Sequence, residues 1–223
     1  MTQKRRIYIF ILSLLCSLTP LLAQQKNIVE KKDSIHFING VSVSADMVGL
    51  IEYMASDHGQ FEAALRVNIR DKYYPVVEVG YGMCDYDDDV TKIHYKTNAP
   101  YARIGIDFNL LKNKHGIYKL FCGARYGFTM FDLDLTRPGL KDPVWGTPAE
   151  YGGEGIECNY HWLEAAMGID AKIWGPLHMG WSIRYRQRIS YDCGDLDNCW
   201  YVPGYGKGGS SRIGGIFHVT LHI

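Results

Sequence analysis

The sequence predicts an all-β chain: an eight-stranded antiparallel up-and-down transmembrane β-barrel with a polar, side-chain-filled lumen. Three observations carry this prediction. Beyond residue 40, stretches of strand length alternate apolar and polar residues, and the polar register repeatedly holds charges of both signs. The connections between them alternate between short turns and longer polar loops. After the N-terminal segment no apolar run approaches the ~20 residues that a spanning helix needs, so a membrane protein of this composition crosses with strands.

The N-terminus points to export. Lys4, Arg5 and Arg6 precede an apolar run from Ile7 to Leu22, and Ala23 stands where a cleavage site would end. This is the pattern of a cleaved signal peptide over residues 1–23. Leu15 before Cys16 is too large for a lipoprotein signal. Residues 24–39 are polar and read as a flexible periplasmic lead-in, and residues 40–223 as the barrel. The expected destination is the cell outer membrane, with its lipid as the first partner. The 24 basic and 24 acidic residues cancel to a formal net charge of zero, which gives no electrostatic case for nucleic acid.

The strands follow in order. The first is expected near Val41–Tyr53, with Val41, Val43, Ala45, Met47, Ile51 and Tyr53 on one face. Phe61–Ile69 sets Phe61, Ala63, Leu65 and Val67 against Glu62, Arg66 and Asn68. Val76–Met83 sets Val77 and Val79 against Glu78, Gly80 and Gly82. Tyr101–Leu110 sets Ile104, Ile106 and Phe108 against Arg103, Gly105 and Asp107. Ile117–Phe131 sets Leu120, Cys122, Tyr126 and Phe128 against Lys119, Gly123 and Arg125. His161–Trp174 sets Leu163, Met167 and Ile169 against Glu164, Gly168 and Asp170. The seventh strand, "WSIRYRQRISY", carries Arg184, Arg186 and Arg188 on every second residue. The last, Ile213–Ile223, sets Phe217, Val219 and Leu221 against His218, Thr220 and His222.

That arginine row decides the facing. An Arg or Lys turned to lipid at the bilayer midplane costs roughly 2–4 kcal/mol. A lumen of eight strands is just wide enough for side chains to fill, and charges buried there must be paired. The expected lumen network is Glu62, Arg66, Glu78, Arg103, Asp107, Arg125, Glu164, Asp170, Arg184, Arg186 and Arg188, leaving no open pore. The competing architecture is a soluble periplasmic lipocalin-like barrel, which would turn the apolar register inward around a small apolar ligand. The short turns on one side, the long loops on the other, and Trp162, Trp174, Trp181, Tyr118 and Tyr126 near strand ends favour the membrane reading.

The remaining motifs are weaker. Five cysteines follow the N-terminal segment, and Cys193 and Cys199 around the loop "CGDLDNC" are the candidate disulfide, although spacing alone does not fix connectivity. Asp85, Asp87, Asp88 and Asp89, with His94 nearby, form a weak candidate cation loop without EF-hand spacing. His218 and His222 share a face but stand ~13 Å apart along an extended strand, too far to chelate one ion together. No metal site and no cofactor is expected. GxSxG, HExxH and phosphate-loop motifs are absent from the sequence, so no catalytic residue is assigned. An enzyme at the barrel rim, acting on envelope lipid or peptide, is the alternative. The loops 84–98, 132–159 and 191–211 are expected to face outward. Their aromatics (Trp145, Tyr151, Tyr160, Trp200, Tyr201 and Tyr205) suit contact with an extracellular protein or glycan.

The stretches "GARYGFTMF", "HWLEAAMGIDAKIWGPLHMGWSIRYRQRI" and "WYVPGYG" resemble a domain-of-unknown-function family of exported proteins from Bacteroidota, similar in turn to small outer-membrane β-barrels. The resemblance covers nearly all of the chain after the signal segment and is most specific over His161–Arg188 and Trp200–Gly206. It implies location and fold. It brings no activity and no catalytic residues.

Overall fold

Alternating side-chain direction gives each strand one wet and one greasy face, and the chain resolves this by curling the sheet until its first and last strands meet. The computed structural model describes residues 37–111, 118–137, 139, 141, 144–147, 152–194, 196 and 199–223. The expected signal peptide, nearly all of the lead-in and the turn at 112–116 lie outside the described residues.

The strands are β1 (Ile38–Asp46), β2 (His58–Ile69), β3 (Tyr73–Asp87), β4 (His94–Asn109), β5 (Tyr118–Thr136), β6 (Gly152–Trp174), β7 (Leu177–Asp192) and β10 (Ser211–His222). They close in the order β1-β10-β7-β6-β5-β4-β3-β2, every neighbouring pair antiparallel. A small hairpin, β8 (Tyr201–Val202) with β9 (Gly206–Lys207), interrupts the connection between β7 and β10.

The facing is the one the arginine row demands. Phe61, Leu65, Val77, Val79, Ile104, Phe108, Leu163, Met167, Ile183 and Ile213 all point outward and are exposed, while Glu62, Glu78, Arg103, Arg125, Glu164 and Arg184 are buried inside. A lipocalin-like cavity needs the opposite arrangement. Register partners place the charges side by side: Glu78 opposite Arg103, Arg125 opposite Glu164, and Glu164 opposite Arg186.

Three features differ from the sequence expectation. The first strand ends at Asp46, and Met47–Ala55 is a helix, α1. Asp46 caps it, its carboxylate accepting from the backbone N–H of Val48 at 3.0 Å and of Gly49 at 3.2 Å. Met47, Val48, Leu50, Ile51 and Met54 follow helical spacing, and no polar alternation holds them in a strand.

Second, the loop expected over 84–98 is largely paired strand. Asp87 lies opposite His94 and Asp85 opposite Lys96, so only residues 88–93 connect β3 to β4. Opposite charges across the ladder support the extension. The expected 132–159 loop shrinks likewise to 137–151, because β5 has 19 residues and β6 has 23. Third, Trp162 is not an interfacial aromatic. It is fully buried inside the barrel.

Candidate functional site

Glu78 is the hub of the interior. It accepts from Arg103 Nη1 at 3.0 Å, Arg125 Nε at 2.8 Å and Arg184 Nη1 at 2.9 Å. Glu62 binds Arg103 and, at 3.0 Å, Arg184, and also accepts from the Tyr101 hydroxyl at 3.1 Å. Glu164 accepts from Arg186 Nε at 3.0 Å and lies 3.3 Å from Arg184 Nη1. Asp107 bridges Arg125 Nη2 at 3.0 Å and Arg66 Nε at 3.2 Å. Small residues make this mesh fit. A Cβ at Gly123 would run into the Asp107 carboxylate, and one at Gly105 into the Arg125 side chain.

Arg66, Arg103, Arg125, Arg184 and Arg186 thus face Glu62, Glu78, Glu164 and Asp107, so guanidiniums outnumber carboxylates by one. The balance is met from above. The β8–β9 hairpin folds down into the barrel mouth, where the Gly204 carbonyl accepts from Arg103 Nη2 at 2.7 Å and the Tyr205 carbonyl from Arg186 Nη1 at 2.8 Å. The sequence Val202-Pro203-Gly204-Tyr205 builds the required turn. Proline presets the first corner, Gly204 takes φ +79°, and Tyr205 N–H closes on the Val202 carbonyl at 3.1 Å.

This corrects the expectation that the 191–211 loop and its aromatics face outward. Tyr160 of β6 and the loop's own Tyr201 and Tyr205 are buried. The Tyr205 ring packs 4.8 Å from Tyr160 and 5.9 Å from Trp162, and the Tyr95 hydroxyl donates to the Tyr201 carbonyl at 2.6 Å. Trp200 stacks on Tyr86 at 4.4 Å. Trp145 is exposed, and Tyr151 lies outside the described residues.

Two members of the expected network sit elsewhere. Arg188, opposite Trp162 where the β6–β7 register shifts, lies 5.3 Å over the Tyr191 ring. Asp170, near the short-turn end, meets histidines rather than arginines: His178 Nδ1 at 2.7 Å and His218 Nε2 at 3.7 Å. β7 presents His178 beside it, and Gly180 leaves room for the His218 ring. The His178 and His222 rings lie 4.0 Å apart.

The candidate disulfide Cys193–Cys199 is also corrected: Cys193 is bonded to Cys158. Cys158 and Cys193 flank the paired residues Asn159 and Asp192 of β6 and β7, with Cα atoms 4.3 Å apart, a juxtaposition that only the strand register reveals. The Cys199 thiol lies 3.2 Å from the Cys193 sulfur. Peptide mapping under non-reducing conditions is expected to join the Cys158 peptide to the one holding Cys193, and Cys199→Ser should leave that link intact. A free Cys158 peptide would overturn the pairing.

Among the described residues two groups could hold a metal ion: Cys158, Cys193 and Cys199 when reduced, and Asp170, His178 and His222, whose donor atoms lie within 4.8 Å of one another. The sequence argument missed the second because His178 comes from a neighbouring strand. The four acids of the candidate cation loop do not converge among the described residues. Asp87 binds His94 Nδ1 at 2.8 Å, Asp85 lies 3.7 Å from His94 Nε2, and Asp89 lies 3.7 Å from Lys92. Asp88 accepts from the Val90 and Thr91 N–H groups, which hold its carboxyl below the usual range.

The fold and its interior define a class: a small, closed, up-and-down eight-stranded β-barrel filled by its own charged side chains. The chain belongs to the domain-of-unknown-function family DUF6048, whose model matches residues 6–222. No curated protein matches it. Among solved structures it is similar to Neisserial surface protein A (NspA), with 12% identity over 83% of this chain and 99% of that one, TM-score 0.49. It is also similar to a major outer membrane protein from Thermus thermophilus, with 13% identity over 84% and 100%, TM-score 0.46. A third is Ail, the attachment invasion locus protein of Yersinia pestis, solved with the heparin analogue sucrose octasulfate, with 9% identity over 82% and 96%, TM-score 0.39.

Proposed function

We propose that this protein is an outer-membrane β-barrel with a structural or surface-interaction role, closed to solutes and without enzymatic activity. The observation that carries the reading is the inverted facing: exposed Leu, Ile, Val, Phe and Met around the wall, and buried ion pairs within. Water would reward the opposite arrangement, and hydrocarbon rewards this one. No described helix is long and apolar enough to cross a membrane, so a crossing falls to the strands. Crossing takes about 9–11 residues of a tilted strand. The 19 and 23 residues of β5 and β6 therefore carry that hairpin well beyond the bilayer. Its end, with the connection over 137–151, is the surface offered to an extracellular protein or glycan. Export by a cleaved signal peptide and an origin in Bacteroidota rest on the sequence pattern and resemblance alone.

Membrane fractionation with heat-modifiable gel migration tests this reading. The protein is expected in the outer membrane, running faster unboiled than boiled, and without discrete conductance steps in planar bilayers. Recovery in the soluble periplasm would overturn the location. Steps of steady size would overturn the closed lumen.

A further inference from the structure

At one place in the barrel wall, strand does not meet strand. Asp46, the last residue of β1, pairs with His218, and Ala45 pairs with Ala63. Above that level Ser211–Phe217 of β10 pairs only with β7, and His58–Glu62 of β2 only with β3. α1 stands in the gap and leans on β2. A Cβ at Gly59 would strike the Tyr53 backbone, and one at Gly49 the Gln60 carbonyl. On the β10 side a cleft of about 210 Å³ remains between helix and strand. Gly214, in the inward register, leaves it unfilled: a Cβ there would come no nearer than 3.7 Å to any neighbour, the Arg186 guanidinium.

The cleft's charge is cationic where it matters. Arg186, Lys207 and Arg212 line it, against the carboxylates of Asp46 and Glu52. Asp46 is spent on capping α1, and Arg186 on Glu164 and the Tyr205 carbonyl. Among the described residues Arg212 and Lys207 meet no carboxylate; the Lys207 ammonium lies 5.2 Å over the Trp200 ring. At the lip Ile213 is strongly exposed, and Ile51 and Met54 are exposed elsewhere on α1. Apolar side chains outside a cationic slot, in a wall that faces lipid, complement a molecule with acyl chains and an anionic head.

We propose that this lateral cleft binds the phosphate-bearing headgroup of a membrane lipid. Arg212 supplies the planar fork suited to phosphate and Lys207 a second positive charge. The headgroup also supplies polar partners to the open edge of β10, which hydrocarbon cannot satisfy. The inference rests on the membrane reading above.

The test is a titration of the full chain in detergent with dihexanoyl phosphatidylglycerol, followed by native mass spectrometry. One lipid is expected per barrel. Arg212→Ala with Lys207→Ala should weaken it by about tenfold or more, the size expected for lost charge-assisted bonds. Gly214→Leu, which keeps both cations but fills the cleft, should do the same. Heat-modifiable migration of each variant separates a lost site from a lost barrel, and outer-membrane recovery tests the membrane reading separately. Equal binding by wild type and folded variants would overturn the cleft. Displacement by equimolar inorganic phosphate would assign the site to a free anion and overturn the lipid.

Discussion

Glu78→Gln is expected to destabilise the barrel by about 3–5 kcal/mol, the cost of breaking a buried ion pair from one side. The glutamine fits the space but carries no charge, and Arg103, Arg125 and Arg184 all converge on that carboxylate. The midpoint of urea unfolding, read as loss of the fast-migrating band, should fall accordingly. Adding Arg125→Met to Glu78→Gln should recover part of the loss, since the second change removes one of the stranded charges. A drop below about 1 kcal/mol for the single variant would show that the network is not the main support of the interior.

The second large effect is at the mouth. Gly204→Val should expel the β8–β9 hairpin while leaving the barrel closed. The residue sits at φ +79°, a conformation a β-branched side chain resists, and a Cβ there would enter the Tyr101 ring. Lys207, now held near the barrel mouth, should then be cut by trypsin at least about tenfold faster, because cleavage follows the population of the opened loop. Unchanged cleavage with unchanged heat-modifiable migration would mean that the hairpin is not held by this turn.

Much of this architecture is legible in the sequence because side chains on a strand alternate strictly. Strand existence, facing and the interior charges of β2 to β7 follow from that period alone. Which arginine meets which carboxylate does not, since it depends on how far each strand is staggered against the next. Asp85 to Lys96 reads as loop because a strand that leaves the apolar belt loses its alternation while its backbone goes on pairing. α1 hides because Met47–Ile51 is apolar in either conformation; the signal that could have found it is Asp46 as an N-cap. The Pro203-Gly204 turn is readable, but its inward docking depends on spare donors of Arg103 and Arg186 from distant strands. The Cys158–Cys193 bond and the meeting of Asp170 with His178 likewise need the register first.

The short pairing of β1 with β10, Ser42–Asp46 against His218–His222, governs how the barrel is assembled. Every other neighbouring pair in the ring is made by strands consecutive in the chain or separated only by the small hairpin. Those pairs form by closing short segments, which costs little chain entropy. The last joint must bring together the two ends of the whole barrel, the largest closure cost in the molecule, for the shortest ladder in return. Assembly is therefore expected to run from hairpins inward to an open curled sheet, with ring closure as the slow final event. The same joint, flanked by a helix instead of more strand, is where a finished barrel has least to lose by reopening.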